Sequence, residues 1–397
     1  MANTILVVDD EPDLELLITQ RFRKEIRDKA LKFVFASNGQ EALAKLGANG
    51  DTDVVLTDIN MPVMDGLTLL SNLSQHYPLL RAVIVSAYGD MANIRTALNR
   101  GAFDFITKPI DFSDLAITLD KTVREASARK QAEVDRDRLF ALHKELDVAR
   151  RIQESIVHRE FPPYPARHEF AVHASMRPAR AVGGDFYDFF FVDEHHLAFA
   201  IGDVTGKGVP AAIFMAVSRT MLRATGARGL STDTCLGLVN DALYAESIAS
   251  MFVTCFYGVL DTRTGLVEYT NAGHNPPYVL GHDGRVAATP AVGGLFLGAF
   301  DKATYERATV QLEPGDSLVL FTDGISEAAD TLDQQYGEPR LEACLTRLAG
   351  SSADQVVASV IADVDTFSAG AAQADDMTMM CLTYNGALRS SSGSVPS

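Results

Sequence analysis

The sequence predicts a doubly wound α/β domain, a helical linker and then an α+β sandwich, and three observations carry that expectation. Residues 1 to about 121 alternate short apolar runs with amphipathic stretches. Short unalternating runs between helices indicate a parallel sheet covered on both faces. From Asp114 to about Glu160 the chain is charged and free of Gly and Pro. Beyond Pro162, Pro163 and Pro165, alternating and β-branched runs separated by turn residues take over, with helices inserted between them.

In chain order, the first domain's strands are expected at Ile5–Val8, Phe33–Phe35, Val54–Thr57, Ala82–Val85 and Phe103–Ile106. Leu14, Leu17, Ile18 and Phe22 mark a helix by their 3.6-residue spacing. The linker, 122–162, reads as one long helix or two in tandem. Its residues Leu139, Leu142, Leu146, Ala149, Gln153 and Ile156 recur at spacings of three and four. That seam predicts either a homodimer through a short coiled coil or a helix packed on its own domain. The prolines end the helix. In 163–385, strands are expected at Leu197–Ile201, Phe252–Leu260, Leu266–Asn271, Pro277–Leu280 and Ser317–Phe321. Helices are expected around Pro210–Leu222 and Asp233–Glu246 and after Leu341 and Asp354. The Ser-rich tail, 386–397, is expected to be disordered.

With 397 residues, 47% hydrophobic and 22% charged, the composition is that of an ordinary globular protein. A formal net charge of −17 opposes a nucleic-acid partner, which calls for clustered Lys and Arg. Cys235, Cys255, Cys344 and Cys381 lie far apart, so buried thiols are expected rather than a zinc site or disulfides. No apolar run approaches a membrane span, and no leader pattern precedes Ile5, so a cytoplasmic location is expected.

Asp9 and Asp10 follow the first strand, Asp58 ends the third, Ser86 ends the fourth and Lys108 follows the fifth. A parallel sheet brings these strand ends to one edge. Carboxylates gathered there repel one another unless a hard cation and a lysine are present, an arrangement that suits Mg²⁺. The segments VVDDE, LTDINMPVMDG, VSAYGD and FITKP, covering residues 4 to about 121, resemble the response-regulator receiver family, which has a flavodoxin-like fold. The resemblance implies that Asp58 accepts phosphate from a sensor histidine kinase. It further implies that Asp9, Asp10 and Asp58 hold Mg²⁺, and that Ser86 and Lys108 contact the phosphoryl oxygens. Phe105 stands at the position of the switching aromatic residue.

The second half carries GGDFYD (Asp185, Asp188), IGDVTGKG (Asp203), FTDGISEA (Asp323, Glu327) and ADDMT (Asp375, Asp376). Acids beside glycines sit where the backbone turns sharply and can approach a ligand. Asp261 and Asp283 read as ordinary turn acids, and Lys207, between two glycines without Walker spacing, as a solvated turn residue. In their order and spread, joined by ARRIQESIV, MFVTCFYGVLD, NAGHNPP and GGLFLG, the motifs resemble the PPM family of metal-dependent protein phosphatases. The nearest likeness is to its sporulation and sigma-factor regulatory branch. The resemblance implies an αββα sandwich holding two Mn²⁺ or Mg²⁺ ions. The matching ligands are Asp185, Asp203, the carbonyl of Val204, Asp323 and one of Asp375 and Asp376, with Asp375 preferred and Asp203 also counted as catalytic. It also implies a phosphorylated anti-sigma-factor antagonist as substrate. His274 of NAGHNPP reads as a general acid or as a structural histidine. Neither Arg177 nor Arg180 can be assigned to substrate phosphate, and Phe296 stands where related sequences often carry Pro.

The function expected is a metal-dependent phosphoserine/phosphothreonine phosphatase controlled by phosphorylation of Asp58, with the sign of control left open. The alternative is a phosphorylation-gated adaptor that sequesters a protein partner. A pure scaffold has no need of a costly carboxylate cluster.

Overall fold

The computed structural model describes residues 2–48, 51–87, 89–246 and 251–386. The expected disordered tail lies, beyond Gly386, outside the described residues. Contacts divide the chain into two compact units, 1–142 and 143–397.

The first unit runs β1 (Asn3–Val8), α1 (Pro12–Arg21), α2 (Arg23–Arg27), β2 (Leu31–Ala36), α3 (Gly39–Ala48), β3 (Thr52–Asp58), α4 (Gly66–His76), β4 (Arg81–Ala87), α5 (Met91–Asn99) and β5 (Asp104–Lys108). Its five strands form one parallel sheet in the order β2-β1-β3-β4-β5. Alternate residues feed opposite faces: Ile5 and Val7 join Leu14, Ile18, Leu115 and Leu119, while Leu6 and Val8 join Ala42, Leu46, Leu69 and Leu73. Both faces are covered, so the strands read as unbroken apolar runs.

A single 45-residue helix, α6 (Phe112–Ile156), follows, rather than two in tandem. Within it the seam divides. Gln153 is buried and Val157, just past the helix, enters the core of the second unit, whereas Leu139 and Leu142 are exposed. The C-terminal part of the seam is thus a helix packed on its own domain.

The second unit continues β6 (Phe170–Arg177), β7 (Phe186–Phe191), β8 (His196–Val204), α7 (Val209–Gly226), α8 (Thr232–Glu246), β9 (Val253–Asp261), β10 (Leu266–Ala272), β11 (Tyr278–Leu280), β12 (Val286–Ala288), β13 (Ala308–Gln311), β14 (Ser317–Phe321), α9 (Asp323–Ser326), α10 (Glu338–Arg347), α11 (Ala353–Ser368) and β15 (Met377–Tyr384). Two five-stranded antiparallel sheets, β13-β10-β9-β8-β7 and β12-β11-β14-β15-β6, enclose a core of Phe189, Phe199, Phe256, Leu320 and Met380. A second core lies under α7 and α8, and a third under α10 and α11. The architecture is therefore αββα. All four cysteines are buried and free. Among the described residues no helix is long and apolar enough to cross a membrane.

Candidate active site

In the first unit the parallel strand ends converge as their spacing requires. One ligand atom each of Asp9, Asp10 and Asp58 lies within 4.8 Å of the others. Lys108 Nζ reaches Asp58 Oδ2 at 2.6 Å, Glu11 Oε1 at 2.8 Å and Asp9 Oδ2 at 3.2 Å. Burial works against the ammonium, but the bonds to Asp58 and Glu11 outweigh it and hold the Lys108 pKa above its usual value. Burial raises the pKa of Asp9, opposed by the Glu11 amide and by Lys108. The hydroxyl of Ser86 is fully buried with no hydrogen-bond partner among the described residues, a vacancy in bonding that suits an incoming acceptor oxygen. Gly66 packs against this edge: a Cβ there would lie 2.1 Å from the Asp58 carbonyl oxygen. Phe105 is partly buried against the core formed with α3, α4 and α5.

In the second unit the two sheets each bring acids to one edge. Asp185 immediately precedes β7, and Asp203 lies near the end of β8. Alternation aims Asp203 inward, since Leu197, Phe199 and Ile201 on the same side of β8 line the inter-sheet core. From the opposite sheet come Asp323, one residue past β14 as the first residue of α9, and the Asp375–Asp376 pair directly before β15. Thr322 ties the two sets together, donating its hydroxyl to Asp185 Oδ2 at 2.7 Å and accepting from the Thr378 amide at 3.0 Å. Its role was not anticipated, although it lies within the FTDG motif.

These acids are an electrostatic unit. Burial raises the pKa of Asp185 well above the carboxylate range, with Asp203 and Asp376 adding to it. Asp203 is pushed up to about 7, first by burial and next by Asp323, although a hydrogen bond with Asp185 opposes the rise. Burial raises Asp323 as well, with Asp375 and Glu327 contributing. Carboxylates so placed take up either protons or cations, and an all-oxygen donor set suits hard divalent ions.

The members differ in how free they are. Asp376 Oδ1 accepts from the Ala179 amide at 2.7 Å and Oδ2 from the Gly184 amide at 2.6 Å, so this buried carboxylate shapes the turn that carries Asp185. Asp375 is half-buried; its Oδ2 meets Lys207 Nζ at 2.8 Å. The start of α9 presses on the same segment, where a Cβ on Gly324 would lie 1.9 Å from the Asp376 carbonyl oxygen. The carbonyl of Val204 would stand 2.9 Å from a Cβ on Gly184, which places it beside the Asp185 turn.

Other residues singled out in the sequence lie apart from this cluster. Asp188 is buried and faces α7, held by Arg219 and Arg223. His274 is buried, with Nε2 donating to the Phe321 carbonyl at 3.1 Å and Nδ1 3.0 Å from the Thr254 hydroxyl. Burial depresses its pKa to about 4, and both ring nitrogens are engaged, an arrangement that fits the structural reading. Arg177 is bound to both oxygens of Asp365. Phe296 stacks on Phe252 at 4.0 Å, and the Phe252 carbonyl accepts from the Thr205 amide at 3.0 Å, so the aromatic pair borders the loop after Val204. The sequence marks Gln153 only as a seam position. Its Nε2 donates to the Gly183 carbonyl at 2.7 Å and its Oε1 accepts from the Gly183 amide at 3.1 Å, fastening the end of α6 to the turn before Asp185.

A pH dependence follows from the raised carboxylates. A carboxyl whose folded pKa lies above its unfolded value stabilises most below the unfolded pKa, and loses that contribution as pH rises through the folded one. In chelator, the second unit should melt at a lower temperature at pH 8 than at pH 5, because Asp203 passes through about 7 in that window. Differential scanning calorimetry of wild type and Asp203→Asn checks this: the variant should show a flatter dependence.

Comparison with known proteins agrees with this division. The response regulator receiver domain family matches residues 5–120, and the stage II sporulation protein E family matches residues 193–385. Protein IcfG of Synechocystis is 31% identical over 274 residues, covering 61% of this chain and 42% of that protein. The phosphoserine phosphatase RsbU of Bacillus subtilis is 28% identical over 216 residues, covering 54% of this chain and 63% of its own length. The chain thus spans less than two thirds of either relative. The SiaA-PP2C domain of Pseudomonas aeruginosa superposes with a TM-score of 0.54 at 21% identity, over 62% of this chain and 98% of that one, a likeness of fold. The receiver-family match thus falls on the first unit, and the stage II sporulation protein E match, with the similarity to RsbU, on the second.

Proposed function

We propose that this union of a response regulator receiver domain with a stage II sporulation protein E-type phosphatase domain is a phosphorylation-controlled phosphoserine/phosphothreonine protein phosphatase. The observation that carries the reading is the acid cluster shared between facing sheets. Asp185 and Asp203 feel one another's charge, and Asp323, Asp375 and Asp376 act on Asp203 from the other sheet. Phosphatases of this type depend on Mg²⁺ or Mn²⁺. Asp185, Asp203, the Val204 carbonyl, Asp323 and Asp375 would hold two such ions here, with Asp376 keeping the Asp185 turn in place. When bound, the ions supply hydroxide at neutral pH and positive charge on the phosphoryl oxygens. The chain's own contribution is preorganisation. Thr322 and Asp376 fix the orientation of Asp185 and its turn, so that carboxylate does not have to be repositioned during the reaction.

In the receiver, Asp58 would accept phosphate from a sensor histidine kinase, with Mg²⁺ at Asp9, Asp10 and Asp58, and with Ser86 and Lys108 on the phosphoryl oxygens. The substrate of the output domain is taken as a phosphorylated anti-sigma-factor antagonist, by likeness to the RsbU class. Control would pass along α6, whose Gln153 grips Gly183 two residues from Asp185. Exposed Leu139 and Leu142 on the same helix support a homodimer through the linker.

The test compares phosphate release from a phosphoserine peptide in Mn²⁺, with and without acetyl phosphate, for wild type and Asp58→Ala. Allosteric coupling typically spans about 5- to 150-fold. Acetyl phosphate should shift the wild-type rate within that range and leave Asp58→Ala unmoved. An equal response in both proteins defeats control through Asp58. No turnover under any condition, with tight binding of a protein partner, leaves the adaptor reading in its place.

A further inference from the structure

The sequence marks Lys207 as a solvated turn residue, and the structure gives it a more specific place. Gly206 and Gly208, with φ of 90° and 80°, bend the loop between β8 and α7 so that Lys207 stands at the rim of the acid cluster. Its ammonium lies 2.6 Å from the Ala374 carbonyl and 2.8 Å from Asp375 Oδ2, while the side chain is still 36% exposed. An ammonium has three donors; the Ala374 carbonyl anchors one, Asp375 takes a second, and the exposed face leaves room for another acceptor.

The surroundings define what that acceptor is. Lys207 lines a cavity of about 250 Å³ bounded by Asp375, Gly324, Glu327 and Arg177. Arg177 is the other cation on its wall, with Nη1 and Nη2 taken by Asp365 and its remaining Nε buried, while Arg180 stands outside that wall, its Nη1 3.9 Å from where a Cβ on Gly208 would lie. Asp375, if it held a divalent ion, would no longer neutralise Lys207, which would keep its carbonyl anchor. Asp185, Asp203, Asp323, Asp375 and Asp376 together outweigh two dications, so a dianionic ester would otherwise enter a site of its own sign. A fixed cation at the rim removes that repulsion.

We infer that Lys207 is the cation that receives the substrate's phosphate group, the ligand being a phosphomonoester dianion. The inference rests on the phosphatase reading and names the substrate-binding residue of that same site. It is a binding role, bringing the phosphate to the acids rather than supplying a proton.

The experiment uses the full-length protein loaded with Mn²⁺ and inorganic phosphate as the probe. Phosphate affinity is measured by calorimetry, Mn²⁺ affinity by electron paramagnetic resonance, and KM and kcat with a phosphoserine peptide. Loss of one charge-assisted hydrogen bond should weaken phosphate binding and raise KM by about ten- to a hundred-fold in Lys207→Ala. Mn²⁺ affinity should not fall, and Lys207→Arg should recover most of the phosphate affinity. Unchanged phosphate affinity in Lys207→Ala overturns the inference. So does a change confined to Mn²⁺ affinity, which would make Lys207 only the counter-ion of Asp375. Phosphate bound through Lys207 without any turnover would uphold the site and sink the phosphatase reading, whereas normal turnover in Lys207→Ala would do the reverse. Wild type that binds no phosphate overturns the inference and leaves the phosphatase reading to the turnover measurement.

Discussion

Asp203→Asn should reduce phosphoserine-peptide turnover by about 10³-fold or more, with the protein still folded. The size follows from the position of the side chain. Asp203 stands between both halves of the cluster, coupled to Asp185 on its own sheet and feeling Asp323 and Asp375 from the other. An amide of the same shape keeps the packing but removes the charge at the one point where both sets of acids meet. Each tenfold in rate corresponds to about 1.36 kcal/mol of barrier, so a 10³-fold loss asks this carboxylate for about 4 kcal/mol. One charged ligand in a water-poor site is able to supply that. Stability should move the other way: burial and neighbouring acids penalise ionised Asp203, and the variant relieves them. In chelator it should therefore melt at or above the wild-type temperature at pH 8. Calorimetry with Mn²⁺ should show weakened binding. Turnover within tenfold of wild type would place the chemistry elsewhere.

The receiver was legible because its chemistry is tied to topology. Once five apolar runs are accepted as parallel strands, the residues at their carboxyl ends must meet, and Asp9, Asp58, Ser86 and Lys108 occupy those positions. The output domain was legible in its motifs but less so in its strands. β15 (Met377–Tyr384) is buried along its whole length and contains three methionines and a cysteine, so it shows neither alternation nor β-branched enrichment. Nor do the expected strands include β6, which alternates in burial but carries Ala, His and Ser among its apolar positions, β7, a run of aromatic residues inside an acidic motif, or the short β12 and β13. Thr322, Gln153 and Asp376 act through hydrogen bonds to segments far along the chain, which local spacing does not encode. Lys207 is a similar case, since its partners at 374 and 375 follow it by more than a hundred and sixty residues.

Asp188 is the reverse case, a motif acid whose importance lies outside the active cluster, and Asp188→Ala should destabilise the second unit by about 3 kcal/mol or more. Along β7, Tyr187 and Phe189 point into the inter-sheet core, whereas Phe186 and Phe190 point under α7. Asp188 shares the second side, so alternation turns it away from Asp203. There its carboxylate is 1% exposed and meets Arg219 at 3.1 Å and Arg223 at 2.6 and 2.8 Å. The hydrogen bonds from Arg223, the bond from His158 and the charge of Arg219 overcome the cost of burial and hold the Asp188 pKa below its usual value. Its contribution is therefore present above the unfolded carboxylate pKa and lost as pH falls through the lowered one. Removing the anion strands Arg219, whose side chain is 11% exposed and whose Nε already lacks a partner. Arg223 is more accessible and bonds to His158 and the Phe189 carbonyl, which keeps the expected loss near the lower end of the range for a broken buried pair. For a unit of this size, about 3 kcal/mol corresponds to a melting temperature lower by roughly 6–12 °C. The folded fraction should bind Mn²⁺ with wild-type affinity, because no atom of Asp188 reaches the acid cluster. A melting temperature within about 2 °C of wild type would show that the pair contributes nothing net, and lost Mn²⁺ affinity in folded protein would return Asp188 to the site.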